Sequence, residues 1–228
     1  MTGVMPLMPE FDRLGVLAPS VASAARIAAA MAGDPGGFPS SGPSSIGVVR
    51  DIEDLVAPAI AAAARNAAAV LARAGHRVVE LSGRSLDWRG LRRSAFLLIE
   101  VEAARVLAAL LDDLDSGISP DLRSALAYGR AASSERVARA REAVLAARQA
   151  LARWLAGCDL LLLPTTPQAA FAFDAPIPDS QADFTAPASV AGLAAISVPA
   201  GRSEHLPLGV QLFGPDEGRL LGAASVLA

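Results

Sequence analysis

The sequence predicts an α/β fold in which a mixed β-sheet forms the core and helices cover it. Short apolar runs of strand length occur in two groups, one within residues 45–81 and one in the last third of the chain. Between them, long segments repeat apolar residues every three or four positions, as helices packed on one face do. Hydrophobic residues make up 53% of the 228 residues but aromatic residues only 4%. This composition fits one domain of closely packed, alanine-rich helices around a small sheet.

The first third of the chain predicts a helix, a loop and then a βαβ unit. A helix is expected over residues 20–31, with Ser20 as its N-cap, and the Gly/Pro/Ser-rich residues 33–45 are expected to form a loop. The βαβ unit consists of a strand at 45–49, a helix at 52–74 that stops at a glycine, and a strand at 77–81. Two strands joined by a helix are expected to pair in parallel.

Two long amphipathic helices follow. In the first, the repeating apolar residues are Phe96, Ile99, Ala103, Val106 and Leu110. In the second, they are Val137, Ala140, Val144, Ala147, Leu151 and Trp154. Two interpretations remain open: a helical hairpin that pairs with a partner protein, or, as we favour, helices that pack on the domain's own sheet.

The last third returns to strands, expected at residues 160–164, 195–199 and 208–214. The first two are apolar without alternation, which indicates strands that are covered on both faces. A proline-rich loop at 167–183, a short helix near 187–193, and a final helix from about Pro215, with Asp216 and Glu217 in its first turn, complete the chain.

Composition excludes several classes of function. All 20 basic residues are arginine, so every mechanism that needs a lysine general base or Schiff base is closed to this chain alone. A net charge of −3 and a pI near 5.4 argue against a nucleic-acid partner. The longest uncharged run, residues 184–201, contains two prolines and a glycine, so no membrane association is expected. A single cysteine, Cys158, and the absence of a secretory signal predict a cytoplasmic protein.

Familiar catalytic and cofactor motifs are missing. The nearest approach to G-x-S-x-G is residues 201–205, which we interpret as a polar turn between strands. Residues 38–47 read FPSSGPSSIG, but no base is near them in sequence, so a loop is expected there as well. Neither a phosphate-binding loop, nor G-x-G-x-x-G, nor a metal-ligand spacing occurs, so we expect no cofactor and no metal.

Three C-terminal segments together carry a specific resemblance. They read LLLLPTTPQAAF (160–171), DFTAPASVAGLAAISVPAG (183–201) and LPLGVQLFGPDEGRLLGAASVLA (206–228). In this combination the chain resembles the C-terminal part of the amidase signature family, serine hydrolases that cleave carboxamide C–N bonds. The likeness extends upstream through the βαβ unit and so covers nearly the whole chain. Two positions depart from the family pattern: Ser189 stands where asparagine is usual, and Ala194 stands where proline is usual.

The resemblance implies a substrate cleft but no complete catalytic centre. By likeness, the cleft-lining residues are Thr165, Thr166, Pro167, Phe184, Thr185 and Ser189. A strand that stops at Pro164 can present the two threonines to a cleft at its carboxyl end, although they could instead only cap the turn. The family acts through a Ser-Ser-Lys triad in a segment that lies before the part this chain resembles. The resemblance therefore assigns no catalytic residue here.

These observations predict that residues 1–228 form a single, partial amidase-like domain, incomplete at its N-terminal side. The chain would bind a small-molecule amide once an N-terminal amidase half complements it, and would otherwise be a non-catalytic remnant that serves as a binding or interaction module. Strands left as edges and exposed apolar faces would favour that partner half, or a homo-oligomer, over a free monomer.

Overall fold

A computed structural model describes residues 3–34, 36–39, 42–113 and 115–228 of the chain. The strands are β1 (Ser45–Arg50), β2 (Arg77–Ser82), β3 (Leu160–Pro164), β4 (Ala194–Ser203) and β5 (Leu206–Gly214). The helices are α1 (Val21–Ala32), α2 (Pro58–Arg73), α3 (Trp88–Val106), α4 (Ala108–Asp112), α5 (Pro120–Arg130), α6 (Ser134–Leu155), α7 (Ala186–Ala191) and α8 (Glu217–Leu227).

The strands form one mixed sheet in the order β2-β1-β3-β5-β4. β1 lies parallel to both β2 and β3, which confirms the predicted βαβ unit with α2 as its crossover. β5 is antiparallel to both β3 and β4. β4 and β5 form a hairpin whose tip contains Glu204, at a φ of 54°, so the segment 201–205 is a polar turn as interpreted.

Helices cover both faces of the sheet. On one face, Leu160 and Leu162 of β3 pack in a cluster with residues of α1, α2 and α8. On the other face, Leu161 and Leu163 pack in a cluster with residues of α3, α6 and α7. All four leucines are at most 1% exposed, which confirms that β3 is a central strand covered on both sides.

The long helices pack on the domain's own sheet, in agreement with the favoured interpretation. The side chains of α3 and α6 share a hydrophobic cluster with Phe213 of the sheet. Trp88, at the start of α3, lies 6.1 Å from Trp154 between ring centroids. Its indole N–H donates to the Gly83 carbonyl at 2.9 Å, so this buried ring has its polar group satisfied. Among the described helices, none combines the length and the apolar character that a membrane crossing needs.

Helix starts follow the predicted capping chemistry at one end of the chain and differ from it at the other. Ser20 caps α1 by accepting a hydrogen bond from the Ser23 amide, as expected. The crossover helix begins at Pro58 rather than residue 52, because a turn that contains Asp51 at a φ of 59° precedes it. Asp216 is the N-cap of α8 and not a residue of its first turn.

The apolar stripe predicted for the first long helix is wrong in part. Phe96 is 46% exposed, whereas Leu91, Ala95 and Leu98 are buried. The helix also ends at Val106 rather than running through residue 110. The reason is that α3 contacts α5, α6 and α7 on different sides, and no local pattern predicted α5.

The prediction that the strand at 195–199 is covered on both faces is also wrong. β4 lies at the end of the sheet, and exposed and more buried residues alternate along it from Ala194 to Pro199. An edge strand has one neighbour, so its outer side stays open. In the predicted loop at 33–45, Pro35, Ser40 and Ser41 lie outside the described residues.

Candidate functional site

A groove of about 500 Å³ runs along β4, close to the carboxyl end of β3. Its walls come from β4, α7, α1, α8 and the segment 13–16 that precedes α1. Most of the lining is alanine, leucine, valine and isoleucine, with a few hydroxyl and amide groups. An apolar concavity with a few polar groups at the carboxyl end of a strand is the usual form of a small-molecule site in α/β proteins.

Two hydroxyls meet in the groove. The Thr165 and Ser197 hydroxyl oxygens lie 2.6 Å apart, and either can be the donor. Each hydroxyl owns one proton, so the bond between them uses one and leaves the other for a ligand. Gly209 leaves room for the pair, because a Cβ there would lie 3.0 Å from the Thr165 oxygen and 3.3 Å from the Ser197 oxygen. The pair can therefore offer one hydrogen-bond donor to a bound molecule.

Gln211 of β5 fixes the backbone on two sides of the groove. It is 3% exposed, and its side-chain N–H groups donate to the Pro164 carbonyl at 3.1 Å and to the Phe184 carbonyl at 2.6 Å. The first carbonyl precedes Thr165 and the second precedes Thr185. Neither this positioning residue nor Ser197 was among the residues predicted from the sequence. The available signal was a glutamine within the apolar run LGVQLFG, because a buried amide needs partners.

Three of the predicted residues line the groove: Thr165, Thr185 and Ser189. Thr166 and Pro167 hold the turn after β3 instead. The Thr166 hydroxyl donates to the Gln168 carbonyl at 2.8 Å, and the Pro167 carbonyl accepts from the Ala57 amide at 2.8 Å. Thr166 therefore caps the turn while Thr165 faces the groove, so each of the two interpretations of this threonine pair holds for one residue.

Phe184 lies behind the groove and does not form its wall. Its side chain is fully buried, and its ring lies 5.1 Å from the Trp88 ring between centroids. The preceding Asp183 is 1% exposed and accepts a hydrogen bond from Arg92 Nε at 2.6 Å. Since a buried carboxylate needs a charged or polar partner, this ion pair ties α3 to the segment that carries Thr185.

The groove lacks a proton acceptor suited to activating a hydroxyl. Of the described residues that line it, only Arg13 and Glu217 have titratable side chains. Arginine stays protonated, and Glu217 forms no hydrogen bond to Thr165 or Ser197 in the described structure. The arrangement can bind and orient a neutral polar group, and general-base chemistry would need a group from elsewhere.

Neither of the other candidate nucleophiles forms a catalytic arrangement. Ser44 approaches His76 only through its backbone N–H, which donates to Nδ1 at 3.0 Å. The neighbouring Ser45 hydroxyl donates to Asp159 at 2.7 Å, where it links the starts of β1 and β3. Cys158 is buried, and burial raises the pKa of its thiol, so it behaves as a core residue.

Comparison with curated proteins gives relatives among the subunits of amidotransferases. The A subunit of the glutamyl-tRNA(Gln) amidotransferase of Thermus thermophilus is 45% identical over 103 residues, which are 42% of this chain and 20% of that protein. The corresponding protein of Zymomonas mobilis is 50% identical over 78 residues, 31% of this chain and 16% of that protein.

Comparison with solved structures covers more of the chain. A crystal structure of an amidase matches 93% of this chain and 51% of its own length, with a TM-score of 0.81 and 26% identity. A structure reported as an unexpected vestigial protein complex, which reveals the evolutionary origins of an s-triazine catabolic enzyme, matches 99% of this chain and 55% of its own length, with a TM-score of 0.81 and 25% identity. The chain thus spans about half the length of these structures.

The match to a family as a whole is the broadest of these results. The sequence profile of the Amidase family matches residues 1–219, which is nearly the whole chain. The fold agrees, because the mixed sheet and its helices superimpose on an amidase. The chain therefore belongs to the Amidase family, the amidase signature proteins.

Proposed function

We propose that this chain forms the substrate-facing part of an amide hydrolase and needs a second polypeptide segment for catalysis. One observation carries the proposal: a groove with a hydroxyl pair and no general base, in a chain without lysine. Residues 1–228 would then be a single partial domain. A complementing segment would supply the nucleophilic serine, the middle serine and the lysine of the family's triad.

In this proposal the groove residues hold the substrate. The Thr165 and Ser197 pair donates its free O–H to a carboxamide oxygen, while Thr185 and Ser189 lie beside it on α7 and its N-cap. Gln211 keeps the two backbone segments at a fixed separation. The apolar walls exclude water, which strengthens a hydrogen bond to a neutral substrate. The small-molecule partner is accordingly an amide.

The experiment compares the purified chain with and without a complementing segment. Alone, it should not hydrolyse simple aliphatic or aryl amides and should not react with a fluorophosphonate probe, since arginine cannot accept a proton. Addition of a polypeptide that contains the Ser-Ser-Lys segment of an amidase should produce turnover. Stoichiometric labelling of the chain alone, lost when one of its serines is replaced, would refute the proposal.

A matched pair of variants tests the role of the groove in the complemented enzyme. Ser197→Ala removes one member of the hydroxyl pair and should lower kcat/KM by about 3- to 10-fold, the value of one neutral hydrogen bond. Ser203→Ala, on the same strand beyond the bulge, should leave kcat/KM unchanged. Equal effects of both variants would remove the hydroxyl pair from the substrate site.

A non-catalytic remnant is the second candidate. It is favoured by the match, over 99% of the chain, to the structure described as a vestigial protein complex. In that case the complemented chain would form a complex without turnover, or the chain would bind copies of itself. Complex formation measured by sedimentation, together with amide turnover, separates the two candidates. The single cysteine supports either activity in a reducing compartment, for which we propose the cytoplasm.

A further inference from the structure

The outer edge of β4 is a long strand edge that pairs with no other strand of the described residues. β4 contains 10 residues, which corresponds to about 33 Å of extended chain. β5 pairs with its inner side from Ala194 to Ser203, so the outer backbone N–H and C=O groups lack a ladder partner. A sheet edge of this length is a template for pairing with another chain.

The two halves of β4 differ in how well they are protected against pairing. The second half contains Pro199, a register shift between Pro199 and Arg202, and the charge of Arg202, all of which obstruct an incoming strand. The first half, residues 194–198, reads AAISV and has no proline, charge or bulge. The opposite edge of the sheet, β2, carries exposed Arg77 and Glu80. Residues 194–198 are therefore the least protected part of either edge.

Both helical layers line the groove that follows this unprotected stretch. From one layer, α7 contributes Ala188 and Ser189; from the other, α1 and α8 contribute residues that include Ala28 and Leu220. The groove thus has the edge of β4 at its base and a helical layer on each side. On α1 the apolar surface continues past the groove, because Ile27 is 44% exposed.

We infer that residues 194–198 are the site where an extended segment of the complementing polypeptide pairs with the sheet as a sixth strand. The inference rests on the proposed function and identifies the surface that the proposed function leaves open. The occupant is the part of an amidase that this chain, which spans about half of its solved relatives, does not cover. The added strand would pass beside Ala195 and Ser197 and so bring the complementing segment next to the hydroxyl pair.

A second copy of this chain fits the groove less well than a single strand does. Two β4 edges related by a two-fold axis would have to pair directly. Each copy would then bring its own α7, α1 and α8 against those of the other, since both layers border the edge. A lone strand carries no such layers and enters between them.

The test uses hydrogen exchange with a defined probe. The probe is the part of the 26% identical amidase that this chain does not cover, expressed as a separate polypeptide. On mixing, amide exchange within residues 194–198 should slow at least tenfold, while exchange in β2 should stay unchanged. Slowing at β2 without slowing at β4 would overturn the inference, as would the absence of association.

A matched pair of substitutions adds a second readout. Ala195→Lys places a charge on the exposed edge and should weaken association with the probe at least tenfold. Val79→Lys, on the opposite edge strand, should have no effect. If turnover appears in the mixture but Ala195→Lys associates normally, the docking site is wrong and the proposed function stands. Protection of β4 without turnover supports the docking site and refutes the proposed function. Protection that grows with the concentration of this chain alone makes the occupant a second copy and overturns the inference.

Discussion

Replacement of Gln211 by methionine tests whether one buried amide holds the two sides of the groove. Methionine is similarly long and unbranched, so the substitution removes hydrogen bonds with little change in shape. The side chain is 3% exposed and donates to the Pro164 and Phe184 carbonyls. Both acceptors would remain in place without this donor.

The expected loss follows from those two bonds. A buried polar group left unpaired costs about 1–3 kcal/mol, and the thioether returns less than about 1 kcal/mol in apolar contacts. The bond to Phe184 is the shorter of the two, at 2.6 Å, and should account for the larger part. We expect Gln211→Met to lower the free energy of unfolding by about 2–4 kcal/mol and the Tm by about 5–15 °C.

Urea denaturation followed by circular dichroism measures this loss. Gln168→Met is the control, because Gln168 bonds the exposed side chain of Gln181 and should change stability by less than about 0.5 kcal/mol. A loss below about 1 kcal/mol for Gln211→Met would show that the two carbonyls find other partners. The role of Gln211 in positioning the groove would then be wrong.

Three further substitutions test the packing and the charges away from the groove. Asp159→Asn should destabilise the chain at pH 7, because hydrogen bonds from the Ser45 amide and hydroxyl lower the pKa of the Asp159 carboxyl; thermal melts should show the difference fade as the pH falls below about 4, where the carboxyl becomes protonated in both states. Glu100→Gln should instead raise the Tm at pH 7 and have no effect near pH 4, because burial raises the pKa of Glu100 and ionisation above about pH 4.3 therefore favours the unfolded chain. Gly129→Ala should lower stability by at least about 1–3 kcal/mol in urea titrations, since its Cβ would come 2.3 Å from the Glu100 backbone. A wild-type Tm for Gly129→Ala, or pH profiles of the opposite sign for the two carboxyl variants, would contradict these assignments.

Local sequence patterns were enough to predict the elements whose surroundings are uniform. β3 is apolar at every position because helices cover both of its faces, and the run of four leucines shows this directly. The capping serine of α1 is a local signal of the same kind. The exposure of Phe96 and of alternate residues in β4 depends on which element lies beside them. A single sequence does not contain that information in any local pattern.

The groove shows the same division. Thr165 could be predicted because it follows a buried strand at a proline-bounded turn, and open sheets place ligands at such ends. Its partner Ser197 could not, because the 2.6 Å contact joins residues 32 positions apart across β3, β5 and β4. Thr166 has the same residue type and neighbourhood as Thr165 but faces its own turn. Only the register of the antiparallel strands decides between them.

The distribution of burial separates the stability of the fold from completion of the site. The core is anchored on β3 and on Phe213 of β5, which are essentially inaccessible to solvent and covered by helices on both faces. β4 is attached to this core by β5 alone, and its first half is open. A substitution such as Ala195→Lys can therefore alter what binds at the edge without removing a core contact, whereas Gln211→Met acts on the core side of the same groove. If both variants lowered the Tm equally, the edge would be part of the folding core, and an open docking strand would not be a property of this chain.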